Sequence, residues 1–260
     1  MATLLMRLKG PMQSWGTRSR FDTRDTENEP SKSGVLGLIC AAMGVDRDNW
    51  EDLEPLTKLR FGVRIDQPGV IKRDYHTAMN IIKAGQSGKE NTAVTNRYYI
   101  ADASFLVGLE STSEGDSLLK KIHLHLKNPC WPLYLGRKSF VPSEPVFLSD
   151  GVLPGTLEDA LKNYPYTVEY FRRWSLSQEG TIMSVENDRI GKMSRYKARL
   201  IMKFETSSPE GSVYMDQPIG PFSQRNFGAR YVISNSIEKD VKFIFDGFDK
   251  EETDYVLEPA

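Results

Sequence analysis

Residues 2–9 (ATLLMRLK) form a short apolar-rich run punctuated by Gly10-Pro11, a pattern that predicts a first strand. Residues 14–32 are polar, with Arg18, Arg20, Arg24 and Lys32 among four acids, and predict a loop. Ser33 stands as an N-cap for a short apolar helix, GVLGLICAAM, that stops near Gly44. Asp48 can cap a second short helix, NWEDLEPLTK, whose interior Pro55 can break it. LRFGVRID (59–66) alternates as a strand. Two extended runs follow, VIKRDYHTAM and TAVTNRYYIADASFLVGL, around a polar tip, NIIKAGQSGKEN. Together they predict a long hairpin or arm with a mobile end. SEGDSLLKKIHLHLKN (113–128) is apolar at 118, 119, 122 and 126, the stripe of a one-faced helix that Pro129 and Pro132 end.

A closing strand near Glu144–Leu148 completes the order βαββαβ. The expected fold is therefore α+β: a ferredoxin-like or RRM domain over residues 1–150, with the hairpin at about 70–100. After Asp150 come a short helix, TLEDALKN, and then strand-like runs, YTVEYFRRW, RYKARLIMKF, ARYVIS and DVKFIFDGF. Residues 151–260 are expected to form a smaller β-rich C-terminal region.

Composition narrows the class. The 260 residues are 39% hydrophobic and 27% charged, ordinary for a soluble globular protein. No apolar run approaches the ~20 residues that cross a bilayer, and the N-terminus lacks the apolar core of a signal peptide. A cytoplasmic protein with no membrane partner is expected. Cys40 and Cys130 form no CxxC pair and are expected as buried free thiols. His76, His123 and His125 have no metal-ligand spacing to them, so no metal and no cofactor are expected. The net charge of −1 conceals a basic segment and an acidic tail. Residues 172–203 carry eight Lys/Arg against three acids, and residues 238–260 carry eight acids against three lysines. A local basic surface attracts phosphate whatever the total; a solvated face is the alternative.

The chain has no P-loop, GxSxG or HExxH. Tyr75 and His76 form one conceivable acid–base pair for RNA cleavage; the alternative makes His76 a polar strand residue or an RNA contact. Single-stranded RNA is held by aromatic or guanidinium stacking plus neutralisation of its backbone. Three places supply that mixture. They are GPMQSWG (10–16), the arm with Lys72, Arg73, Tyr75, His76, Arg97, Tyr98 and Tyr99, and WPLYLGRKSF (131–140), where Gly136 allows close backbone approach beside Arg137 and Lys138.

These segments resemble the Cas-five family of CRISPR-associated proteins, of the RAMP superfamily, in the form found in subtype I-E Cascade. The resemblance rests on GPMQSWG, SKSGVLGLICAAMG, RDYHT, ADASFLVGL and YLGRKS, in that order over about residues 4–148. A weaker match follows at QPIGPFSQRNFGARYV (217–232). The resemblance implies an RRM-like domain with a long β-hairpin thumb and a small C-terminal region. It implies a subunit, not an enzyme, that caps the 5′ handle of crRNA. The implied protein partners are the Cascade backbone subunit and the large PAM-reading subunit, with target DNA near its PAM-proximal end. Carried over by motif, the RNA-binding residues are Gln13, Trp15, Gly16, Lys32, Ser33, His76, Arg97, Tyr134, Gly136, Arg137 and Lys138. Lys138 stands where a second arginine is frequent, and lysine does not make the bidentate contact. Two other readings remain: a metal-independent endoribonuclease that processes CRISPR precursor RNA, as subtype I-C relatives do, and a different RRM-like RNA-binding or assembly protein.

Overall fold

β1 (Ala2–Gln13) runs through the middle of a mixed α+β body, with Leu4, Leu5 and Met6 all fully buried. Such a run requires cover on both faces of the sheet. The computed structural model describes residues 1–19, 22–82, 89–111, 116–168, 182–186 and 193–244. The chain divides into two compact units, Met1–Thr167 with Ile201–Ser236, and Val168–Leu200 with Ile237–Ala260.

The first unit holds β1, β2 (Thr23–Arg24), α1 (Lys32–Met43), α2 (Trp50–Thr57), β3 (Arg60–Gln67), β4 (Val70–Ile82) and β5 (Lys89–Ser111). α3 (Asp116–Lys127), β6 (Phe147–Pro154) and α4 (Leu157–Asn163) follow. The large antiparallel sheet begins β6–β1–β5–β3. Residues 201–204 of β8 (Met193–Thr206) pair with Gly62–Ile65 and extend the sheet, which continues through β10 (Phe227–Ile244) to β9 (Ser212–Pro218). In the second unit, β7 (Ile182–Glu186) pairs antiparallel with the start of β8.

One face of the sheet carries the main core, where Leu4, Met6 and Leu8 of β1 join Val35, Leu36 and Ile39 of α1 and Leu119, Ile122 and Leu126 of α3. The other face takes α4. Gly62 and Gly108 lie opposite each other on β3 and β5. A Cβ on Gly62 would come within 3.0 Å of the Leu157 and Leu161 side chains, and one on Gly108 within 2.5 Å of Leu157, so the glycine pair forms the floor under the helix. Arg64, fully buried, closes the end of α4 by donating to the carbonyls of Leu161, Tyr164 and Pro165. Asp66 faces it through two oxygens and also accepts from the Thr167 N–H and hydroxyl.

Several local expectations need correction. β1 does not end at Gly10-Pro11; it pairs with β5 as far as Gln13↔Ile100. β6 pairs β1 only over residues 2–6, so the missing N–H of Pro11 interrupts no second ladder. The cap of α1 is Ser31, whose side chain accepts from the Gly34 N–H, and Ser33 lies inside the helix. Asn49, not Asp48, caps α2 by accepting from the Asp52 N–H. α2 runs unbroken through Pro55, which is exposed and forfeits only its own bond to Glu51 while Leu53 and Leu56 are buried beside it. The closing strand begins at Phe147. Cys40 is buried, and burial, with the nearby Asp52 charge, pushes its thiol up to about 12. Cys130 is exposed, since it follows the end of α3 with its N–H on the Ala42 carbonyl at the edge of α1. Residues 83–88 of the hairpin tip, 245–260 of the acidic tail, and 172–181 and 187–192 of the basic segment lie outside the described residues.

Candidate nucleic-acid interface

Three chain segments meet at the base of the β4–β5 ribbon. The first is the turn after β1. Ser14 donates its N–H to Leu135, Trp15 donates its N–H to the Thr26 hydroxyl, and Glu27 donates back to the Trp15 carbonyl. Asp25 receives the Arg18 N–H and the Ser19 hydroxyl, which folds residues 14–27 on themselves. The second segment is β5 at Asn96–Arg97, beside which β2 pairs in parallel, Thr23↔Asn96 and Arg24↔Arg97. The third is the loop 134–140, held by Leu135 N–H to Phe140 and Phe140 N–H to Arg137. Gly136 binds these pieces together. Its φ is +90°, and a Cβ there would lie 1.7 Å from the Ser14 carbonyl oxygen. Its close approach is therefore to the protein's own turn.

The arrangement gathers Arg24, Arg97 and Arg137. Arg137 donates to the Tyr98 carbonyl at 2.7 Å and lies 5.3 Å over the Phe140 ring, which itself packs against Tyr99. Arg97 donates to the Thr95 hydroxyl, which meets His76 Nδ1 at 3.4 Å. Burial, and then the like charge of Arg97, hold the Arg137 guanidinium below its ordinary basicity; Asp74 and Asp25 offset part of this and Arg24 adds to it. A cluster of guanidiniums that disfavour one another gains when an anion is placed among them.

The ribbon has two different faces. Paired residues share a face, and neighbours along a strand alternate. Lys72, Asp74 and His76 therefore lie with Tyr99, Arg97 and Thr95, whereas Arg73 and Tyr75 lie with Tyr98 and Asn96 on the opposite side. Tyr75 is 68% exposed. Tyr75 and His76 project from opposite faces, so the ribbon as built does not direct both at one phosphate.

The sequence-selected residues separate into two groups. Gly16, His76, Arg97, Gly136, Arg137 and Lys138 are exposed or half-exposed around this junction, with Tyr134 half-buried in the same loop. Gln13, Trp15 and Lys32 are beneath the surface, at 0%, 1% and 2% exposure. Gln13 donates to the Leu8 and Ala103 carbonyls and accepts the Trp15 indole N–H, so the Trp15 ring is a core element here, not a free stacking platform. Lys32 gives its N–H to Asp216 and its ammonium to Glu205. Burial lowers its pKa against the opposing pull of Glu205. Ser33 is half-buried in the first turn of α1. Arg24 is the site residue that sequence reasoning passed over: it was one of several charges in a polar loop, and only the parallel pairing with β5 puts it beside Arg97.

A family model described as CRISPR-associated protein (Cas_Cas5) matches residues 3–233. The chain belongs to this family of CRISPR-associated proteins. It is similar to the CRISPR system Cascade subunit CasD of Escherichia coli (strain K12), at 34% identity over 157 residues, 56% of this chain and 69% of that protein. Among solved structures it resembles a Cas protein crystal structure, with TM-score 0.65, 41% identity and coverage of 90% of this chain and 94% of that one. It also resembles a chain of a CRISPR RNA-guided surveillance complex, with TM-score 0.66, 28% identity and coverage of 92% and 91%. Among the described residues, no helix is long and apolar enough to cross a membrane.

Proposed function

We propose that this chain is a non-catalytic subunit of a type I-E CRISPR Cascade complex that binds and caps the 5′ handle of crRNA, and that it joins the backbone and large subunits for DNA targeting in the cytoplasm. The observation that carries the reading is the arginine junction, Arg24, Arg97 and Arg137, at the foot of a two-faced ribbon in a chain of this family. The strand order β6–β1–β5–β3 with α1 and α3 on one face supports the ferredoxin-like or RRM description, with β4–β5 as its thumb. A guanidinium that also contacts an aromatic ring, as Arg137 does with Phe140, suits both phosphate and base faces. The exposed Tyr75 face of the ribbon suits a protein neighbour, the backbone subunit in this reading. Gln13, Trp15 and Lys32 are buried on internal partners, leaving Gly16, His76, Arg97, Tyr134, Arg137 and Lys138 as the surface offered to RNA. The opposed directions of Tyr75 and His76 support a binding role over the endoribonuclease alternative.

Each charge-assisted hydrogen bond to phosphate contributes about 1.5–3 kcal/mol, tenfold or more in affinity. Arg97→Ala combined with Arg137→Ala is expected to weaken assembly with guide RNA at least tenfold in native gels, with circular dichroism unchanged. Assembly like that of the unaltered protein would sink the proposal. The purified chain is expected to leave labelled repeat RNA intact with and without Mg²⁺. Site-specific cleavage lost in Tyr75→Phe or His76→Ala would install the nuclease reading in its place.

A further inference from the structure

Residues 117–143 contain no Asp or Glu and five Lys/Arg, namely Lys120, Lys121, Lys127, Arg137 and Lys138. The last two belong to the junction above. The first three belong to α3. Its apolar stripe, Leu119, Ile122 and Leu126, is buried in the core. Lys120, Leu124 and Lys127 follow at spacings of four and three, with Lys121 three before Leu124, so all four share the outward face. The three lysines are exposed, and Leu124 between them is 60% exposed. Among the described residues none of the three has a carboxylate within ion-pair distance. Lys127 also borders an open groove of about 370 Å³ lined by Leu133, Pro142 and Glu144. The Glu144 carboxylate is already paired with both Arg7 and Lys9. Just beyond the helix, Trp131 is 45% exposed, with its N–H fixed on the Ala41 carbonyl.

We propose that this face of α3, with Lys120, Lys121 and Lys127, is a second track for the phosphate backbone of a nucleic-acid strand, carried by a different element from the arginine junction. Three ammoniums along two turns, with no ion-paired carboxylate among the described residues, match the regular charge of a polyphosphate chain. An exposed Trp in a basic setting adds a surface on which an unpaired base can stack. Lysine binds phosphate as a point charge without base readout, so the track is expected to tolerate any sequence.

The test uses the full chain and two probes of equal length, a labelled DNA duplex and a labelled single-stranded RNA, each titrated from 50 to 200 mM NaCl. Glutamine keeps helix propensity close to that of lysine, so the variant Lys120→Gln, Lys121→Gln, Lys127→Gln is expected to fold with unchanged melting. Losing three phosphate contacts should flatten the salt slope by about 2.7 for duplex or about 2 for a single strand, and weaken binding at least about tenfold at low salt. The probe that loses identifies which strand uses the track. Replacing all three by arginine should restore both slope and affinity. The Arg97→Ala, Arg137→Ala variant should keep the α3 contribution, so the two sites fail separately. Unchanged slopes for both probes in the glutamine variant would overturn the proposal, as would the absence of binding by the unaltered chain at 50 mM salt. Normal nucleic-acid binding with a failure to join a protein partner would reassign the face to an acidic protein surface and overturn it too.

Discussion

Gly136→Ala is the most informative single change at the junction. The new Cβ would stand 1.7 Å from the Ser14 carbonyl oxygen and 2.8 Å from its carbon, a backbone obstacle that no rotamer removes. The φ of +90° adds the cost of a conformation that L-residues avoid, about 1–2 kcal/mol. To relieve the clash, loop 134–140 must move away from the turn. The Ser14 N–H to Leu135 bond breaks, at about 1 kcal/mol, and the Arg137 bond to Tyr98 stretches, at about 1–2 kcal/mol. The expected loss is about 3–5 kcal/mol, the sum of these steps. Gly155 provides the control. Its φ is +112°, but a Cβ there meets nothing within 4 Å, so Gly155→Ala isolates the backbone cost at about 1–2 kcal/mol. Urea unfolding of both variants measures the difference, and RNA binding at a denaturant-free reference reports whether the arginines have separated. Equal destabilisation by the two alanines, with RNA binding intact in both, would refute the argument that Gly136 locks the junction.

Two further outcomes follow from charges away from the junction. Asp66→Asn removes the buried counter-charge of Arg64 and should cost about 3–5 kcal/mol in urea unfolding; a loss below about 1 kcal/mol would show that the carbonyls of α4 alone satisfy the guanidinium. Hydrogen bonds from Arg60 hold the Glu158 carboxyl below its ordinary value of 4.5, against the opposing effect of burial. A depressed carboxylate stabilises the fold above its unfolded value and loses that contribution as pH falls through its folded value. The melting difference between the unaltered chain and Glu158→Gln should therefore be present at pH 7 and narrow below pH 4.5; a difference that is constant from pH 7 to pH 3 would contradict the ion pair.

Elements with strong local signals were legible in the sequence. The amphipathic stripe of α3 put Leu119, Ile122 and Leu126 in the core, and the alternation of LRFGVRID located β3 within a residue. The caps were displaced by one or two positions because Ser31, Ser33, Asp48 and Asn49 all have the chemistry of a cap, and only the backbone decides which reaches the next turn. Long-range pairings left no local trace. Nothing in RYKARLIMKF indicates that residues 201–204 pair with β3, nor in the polar loop that Thr23–Arg24 lies beside β5.

The motif around Trp15 illustrates why a functional sequence signature overstates the surface. GPMQSWG, SKSG and YLGRKS belong to one construction. Trp15 packs under Gly34, where an added Cβ would come within 2.8 Å of the indole, and its N–H is held by Gln13. Gly136 rests on Ser14, and Ser31 and Lys32 anchor the helix that roofs the ring. A motif read from one strand of text merges residues that touch a ligand with residues that place them, because both are demanded by the same junction. Burial separates the two. The polar atoms of Gln13 and Lys32 are spent on internal partners, whereas Lys138 is exposed and Arg97 keeps partial exposure. The same criterion directs attention to α3, where the lysines have solvent on one side, no internal carboxylate among the described residues, and a helix that needs none of them to hold its place.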